Sequence, residues 1–261
     1  MQLKGKRALI TGSTSGIGLG ISEALALNGC DIVLNGFGSS LEIESLVRRL
    51  TSQYHVHVRH VDADVSGRDA CLSLAAEAKR ELGGVDILVN NAGIQHVAPV
   101  EEFPAEQWDK IIATNLSSSF HLTAAMLPFM RNQDWGRIIN VASVHGLVGS
   151  RFKAAYVAAK HGLVGLTKVV ALECAGSGVT CNAICPGWVL TPLVEVQILK
   201  NMKEQAISRE TAERELLVEK QPSRQFTTVQ QIGALVVFLC SPAAENLTGA
   251  CLPVDGAWTA Q

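Results

Sequence analysis

Seven short runs rich in Val, Ile and Leu, near residues 7–11, 31–35, 55–61, 86–89, 136–141, 179–185 and 250–254, alternate with helix-periodic segments along the chain. Strands that are aliphatic on both sides must be covered on both sides, and parallel neighbours need crossover connections of one hand. The pattern predicts an α/β fold, a doubly wound parallel sheet with helices on both faces. At 261 residues the chain suits a single domain over 1–261 with one ample core. One stretch breaks the rhythm: residues 190–224 insert two polar amphipathic patterns, around 192–203 and 208–220. An insertion this long beside a ligand site is expected to form a helical substrate lid, the plainer alternative being a helical hairpin packed on the body.

Composition removes several classes of function. The formal net charge is −2 with charges scattered, so no basic stripe points to nucleic acid. The N-terminus runs almost directly into a strand, and no apolar run approaches the length that spans a bilayer, so a cytoplasmic enzyme without membrane contact is expected. The seven cysteines lack C-x-x-C spacing and sit mostly in apolar patterns, which reads as buried thiols. The seven histidines show no metal-ligand spacing, with His55 and His57 alternating along the third strand and, like His60, facing solvent or polar neighbours.

Three local patterns carry chemistry. Arg7-Ala-Leu-Ile-Thr11 runs into Gly12-Ser-Thr14-Ser15-Gly16-Ile17-Gly18 and then a helical pattern. Such glycines let the backbone approach a pyrophosphate, and the helix N-terminus offers it free N–H groups; taken alone, the turn is equally a structural connection. Val85-Asp-Ile-Leu-Val89 ends in Asn90-Asn91-Ala92-Gly93, at the carboxyl end of a strand where open α/β sheets bind ligands. Tyr156-Val-Ala-Ala-Lys160 stacks a phenol and an ammonium one helical turn apart. A phenol with a pKa near 10 transfers protons at neutral pH only if its phenolate is stabilised, which a neighbouring cation can do.

Joined with Asn115 and Ser143, these motifs fall in the order and spacing of the short-chain dehydrogenase/reductase family, which the chain resembles end to end in a Rossmann-like fold. The resemblance implies Tyr156 as general acid/base and Lys160 as the group that lowers its pKa and holds the nicotinamide ribose. Ser143 would bond the substrate oxygen. Asn115, inside a helix-like stretch 108–130, would place a water that relays protons from Lys160. Cofactor contacts are implied for Gly12, Thr14, Ser15, Gly16, Ile17 and Gly18; for Phe37; for Ala63, Asp64 and Val65, with Asp64 toward the adenine or else capping a helix; for Asn91, Ala92 and Gly93; for Tyr156 and Lys160; and for Pro186, Gly187, Trp188, Val189 and Thr191. Hydride passes directly between nicotinamide and carbon, so no metal is expected.

The second strand ends Asn35-Gly36-Phe37-Gly38 with no acid at the ribose position, and no Arg or Lys lies between Arg7 and Arg48 to receive a 2′-phosphate. NAD is therefore the expected cofactor, with Phe37 filling the phosphate's space. Gln95 with His96, His145, Lys153 and Gln197 suggest a small anionic substrate: Lys153 and His145 would neutralise a carboxylate and the glutamines complete its hydrogen bonds. Taken with Ser143, Tyr156 and Trp188, these residues resemble the branch of the family that interconverts D-3-hydroxybutyrate and acetoacetate with NAD as homotetramers, which implies that Trp188, Leu190 and Leu193 cover the short carbon chain and that subunit contacts run along 108–130, 154–174 and 250–261. The alternatives are an NADPH-dependent 3-oxoacyl-thioester reductase of the same family and a noncatalytic NAD(H)-sensing protein.

Overall fold

The computed structural model describes residues 2–260, the side chain of Leu193 excepted. One parallel sheet contains β1 (Arg7–Ile10), β2 (Asp31–Leu34), β3 (Val58–His60), β4 (Ile87–Asn90), β5 (Gly136–Val141), β6 (Val179–Pro186) and β7 (Cys251–Val254) in the order β3-β2-β1-β4-β5-β6-β7. The winding reverses between β1 and β4, which opens a crevice at the carboxyl ends of those strands.

Alternation along each strand feeds two cores. Ile10, Ile32, Leu34, Ile87, Val89, Ile139 and Ile184 point to one face, where they meet α1 (Gly16–Leu27), α2 (Ser40–Tyr54) and α9 (Val229–Leu239). Their sequence neighbours Leu9, Val33, Leu88 and Ile138 point the other way, onto α3 (Arg68–Leu82), α5 (Ser118–Asn132) and α6 (Ala154–Cys174). Each such aliphatic side chain, fully buried, contributes about 1.5–3 kcal/mol. Every residue of β4, β5 and β6 is buried, which is why these segments read as continuous apolar runs.

Three expectations need correction. The third strand starts at Val58 rather than 55: His55 closes α2 in a left-handed conformation (φ 56), and the His57 amide donates to Asp31 Oδ1 at 2.8 Å. His60, on that strand, meets a polar neighbour, its Nε2 2.9 Å from Gly36 O. The stretch 108–130 is not one regular helix but α4 (Ala105–Ile112), a π-helical turn over Ala113–Ser117, and α5. Finally, one apolar segment does reach membrane-spanning length, Ala154–Cys174; it is α6, whose Ala155, Ala159, Leu163, Val170 and Ala171 are buried in the body of the protein. Six of the seven free cysteines are buried and Cys251 is half-buried.

The insertion forms α7 (Pro192–Gln205) and α8 (Arg209–Lys220). Val194, Ile198, Ala212 and Leu216 make their own small core against Trp188 and Phe226, separate from the two sheet cores. Arg209 clips the pair together, with Nη1 2.6 Å from Glu195 and Nε 2.7 Å from Glu213, both exposed pairs that add little stability.

Candidate active site

The crevice is shaped by main chain. Gly12 and Gly16 adopt φ 60 and 54, a region closed to most side chains, and a Cβ on Gly18 would stand 2.3 Å from Gly12 O. Asn91 Nδ2 donates to Thr11 O (2.9 Å) and Gly12 O (3.0 Å), while Thr11 Oγ1 accepts from the amides of Asn91 and Ala92, so the turn is tied to the end of β4. The helix that follows is left uncapped: Ser15 makes no side-chain cap bond and the first turn of α1 holds no acid, whereas α2 and α9 carry full capping boxes. Free amides and a positive dipole end thus face the crevice, and they fit the pyrophosphate of a dinucleotide.

The cleft holds about 1410 Å³ of open space and brings together Gly12, Thr14, Ser15, Gly16, Ile17, Phe37, Ala63, Asp64, Val65, Asn91, Ala92, Gly93, Tyr156, Lys160 and Thr191 along its wall. Gly18 is instead buried against Gly12, and Pro186, Gly187, Trp188 and Val189 line a neighbouring pocket. Lys110 and Thr114 also line the cleft, although no motif marked them. Phe37 stands 73 % exposed at the rim, its carbonyl held by Thr14 Oγ1 at 2.9 Å. Asp64 accepts from the Ser66 amide at 3.0 Å, and Ser66's amide and hydroxyl hold its carboxyl below the usual range. Gly67, not Asp64, is the N-cap of α3.

Tyr156 and Lys160 meet on the inner face of α6, the ammonium 5.6 Å from the ring centroid. Lys160 is only 3 % exposed; Nζ donates to Val141 O at 2.7 Å, and burial brings its pKa down to about 8. Loss of hydration pushes the Tyr156 pKa up, opposed by a hydrogen bond with the Ser143 side chain. Ser143 thus counters burial at the phenol through a hydrogen bond, while the neighbouring Lys160 ammonium is itself desolvated and turned to the Val141 carbonyl. Ser143 stands just beyond β5, and its Oγ accepts from the His145 amide at 3.1 Å.

Asn115 sits in the π-helical turn, a feature often found at functional sites. Both ends of its amide are used on one residue: Oδ1 accepts from Ile94 N and Nδ2 donates to Ile94 O, each at 2.9 Å. A Cβ on Gly93 would lie 3.6 Å from Asn115 Oδ1 and 3.7 Å from Lys160 Nζ, so all three meet at one point of the cleft.

Beside this group lies a pocket of about 620 Å³ whose wall includes Gln95, Ser143, His145, Lys153, Tyr156, Trp188 and Gln197, the full expected substrate set. His145 is 6 % exposed, and burial, with Lys153, Lys220 and His161 nearby, brings its pKa down to about 4. It is therefore neutral at pH 7 and offers a carboxylate a hydrogen bond, not the charge expected of it. Lys153, whose pKa burial also lowers, supplies the cation, with Nζ 5.6 Å from the Trp188 ring. Two buried polar atoms on this wall lack a protein partner, His145 Nδ1 and Trp188 Nε1. Such groups are costly unless something bonds them.

Trp258 was not legible as a pocket residue. It packs edge-on to His145 at 5.5 Å and 5.9 Å from Trp188. Asp255 holds it by accepting from the amides of Ala257 (3.0 Å) and Thr259 (2.9 Å). Trp188 is anchored through Gln221 Oε1, which accepts its amide at 2.9 Å, and the Thr227 amide, which donates to its carbonyl at 2.9 Å. Val194 takes the covering place expected of Leu190, which is 47 % exposed and off the lining. The Leu193 side chain lies outside the described residues. His96 packs edge-on against Phe103 (5.3 Å) rather than lining the pocket.

The arrangement can bond a carbonyl or alcohol oxygen at Tyr156 and Ser143, hold a carboxylate at Lys153, and seat a dinucleotide alongside. Comparison with known proteins agrees. A family model described as short chain dehydrogenase matches residues 6–201. D-beta-hydroxybutyrate dehydrogenase of Cupriavidus necator is 55 % identical over 259 residues, covering 99 % of this chain and 100 % of the relative. The protein of the same name from Rhizobium meliloti is 51 % identical over 256 residues, covering 98 % and 99 %. Among solved structures, L-sorbose reductase from Gluconobacter frateurii, complexed with NADPH and L-sorbose, superposes with a TM-score of 0.95 at 29 % identity over 100 % of both chains. The chain belongs to the short-chain dehydrogenase family and shares its fold and its nicotinamide-dependent oxidoreductase chemistry.

Proposed function

We propose that the enzyme interconverts D-3-hydroxybutyrate and acetoacetate with NAD(H). The observation that carries this reading is the pocket itself: Lys153, neutral His145, Gln95 and Gln197 share a small cavity with Ser143 and Tyr156, roofed by indoles. A four-carbon 3-oxo acid has a carboxylate for one group and a ketone oxygen for the other. Both relatives at over half identity carry a hydroxybutyrate dehydrogenase name.

When bound, the nicotinamide supplies the hydride for reduction and accepts it for oxidation. The chain's own residues do the rest. In reduction Tyr156 gives its phenolic proton to the ketone oxygen while Ser143 donates a second hydrogen bond to that oxygen; in oxidation the phenolate takes the hydroxyl proton back. Lys160 stabilises the phenolate and holds the ribose hydroxyls, and Asn115 fixes the Ile94 turn beside it. Lys153 orients the carboxylate, with the Trp188–Trp258 pair and the α7–α8 lid excluding water. Phe37 at the rim and the lack of Arg or Lys on β2 or between it and Arg48 favour NAD over NADP. Exposed Trp108, Phe120, Val169 and Leu172 on α4, α5 and α6 support a homotetramer packed through those helices; of the 250–261 segment, Gln261 lies outside the described residues.

Following NADH absorbance with D- and L-3-hydroxybutyrate, acetoacetate and an acetoacetyl thioester tests the reading. Turnover of the D-acid and acetoacetate with NAD(H) is expected. Preference for the thioester with NADPH would replace it by the acyl-thioester reductase, and no turnover of any of these by the noncatalytic alternative.

A further inference from the structure

The substrate pocket adjoins two larger spaces. Toward the cofactor cleft it shares Ile17, Ala142, Tyr156 and Thr191, so a bound dinucleotide covers that flank. On the opposite flank, His145, Lys153, Trp188, Gln197 and Trp258 also line a second depression of about 1450 Å³ that no motif marked. Its outer rim is Arg151 and Phe152 on one side and Glu219 and Lys220, at the end of α8, on the other.

The charge of this rim is one-sided. Lys220 pairs with Glu219 at 3.0 Å. Arg151 is exposed and has no acid within ion-pair distance among the described residues. With Lys153 at the inner end, three cations face a single carboxylate. The backbone sets this arrangement at a cost, since Phe152 is held in the left-handed region (φ 66) with its carbonyl accepting from the Ala98 amide at 2.9 Å. The turn leaves Arg151 in solvent while Lys153, two residues on, is drawn inward. The two unpartnered atoms, His145 Nδ1 and Trp188 Nε1, belong to residues of the wall between pocket and depression.

We propose that this basic vestibule is the route by which the anionic substrate reaches and leaves the pocket once the cofactor is seated, Arg151 and Lys220 drawing the carboxylate in toward Lys153. The inference rests on the function proposed above. A cleft of one charge sign concentrates counter-charged ligands and speeds their capture, an effect that salt suppresses. The rim spans the 149–153 loop and the lid helix α8, so lid movement opens and narrows the same passage.

Charge reversal tests it. Arg151→Glu, Lys220→Glu and the double variant are compared with wild type for acetoacetate and for its neutral methyl ester, across ionic strength. The double variant should lose about tenfold in kcat/KM for acetoacetate at low salt, narrowing to within about twofold at high salt. The ester should show little change, as should NADH affinity. Equal losses for acid and ester, a loss that salt does not relieve, or no loss at all would each overturn the vestibule. Arg151→Gln and Lys220→Gln, which add no charge, should give the same pattern at smaller size if the reversals fold poorly. If wild type fails to reduce acetoacetate, the proposed function falls; if it does reduce it and the reversals are silent, only the vestibule falls.

Discussion

The cofactor cleft and the substrate pocket share Tyr156 but are made of different material. The cleft is mostly main chain: two left-handed glycines, an uncapped helix, and a strand end tied to it through Asn91 and Thr11. The pocket is side chains drawn from the start of α1, the turn after β4, the end of β5, the start of α6, the loop after β6, α7 and the turn at Trp258. Backbone geometry demands particular residues at fixed spacing, while side chains that converge from seven segments leave no spacing to read. Substitutions in the two regions should therefore separate cofactor binding from substrate recognition.

Tyr156→Phe should be the largest effect, because it removes the proton donor common to both regions. A loss of about 100- to 10,000-fold in kcat is expected, with NADH affinity by fluorescence titration unchanged; near-normal turnover would exclude Tyr156 as acid/base. Lys153→Met lies wholly in the pocket. Leaving a desolvated carboxylate unpaired should cost roughly 30-fold or more in kcat/KM for acetoacetate and far less for its methyl ester, while NADH binding holds. Equal losses for both substrates would mean that Lys153 does not meet the carboxylate.

A smaller effect tests the pocket through stability. His145 titrates near 4 when folded and 6.5 when unfolded. Between those values the unfolded chain binds more protons, so stability is full above pH 6.5 and falls on acidification by about 3 kcal/mol at most. His145→Gln should flatten that part of the Tm profile; an identical acid slope in both proteins would show that His145 is not held neutral. The smallest expected effect is confined to the cleft: Phe37→Arg should improve NADP use relative to NAD by about tenfold through a charge-assisted contact with the 2′-phosphate, leaving KM for acetoacetate alone. An unchanged cofactor ratio would remove Phe37 as a determinant.

Legibility follows the same division. The sheet was readable because both faces of β4, β5 and β6 are buried and demand aliphatic residues. The third strand starts three residues later than its pattern suggests because Val56 and Val58 alternate with exposed His57 across a helix cap that hydrophobic periodicity cannot register. The π-turn at Asn115 escaped notice for a related reason, since one added residue per turn leaves the apolar pattern of the flanking helices intact. In the pocket, residue types were found but not their charge states. His145 reads as a cation in sequence and is neutral in place, because burial is a property of the assembled wall. Trp258 became a pocket residue only through the Asp255 turn that folds the end of the chain back over His145.

The central claim is that one cavity reads a carboxylate and a ketone oxygen together. Its most direct measurement is the ratio of kcat/KM for acetoacetate to that for methyl acetoacetate, with NADH and wild-type enzyme. A preference for the acid of at least about tenfold is predicted from a charge-assisted contact at Lys153. Equal efficiency, or preference for the ester, would contradict the account.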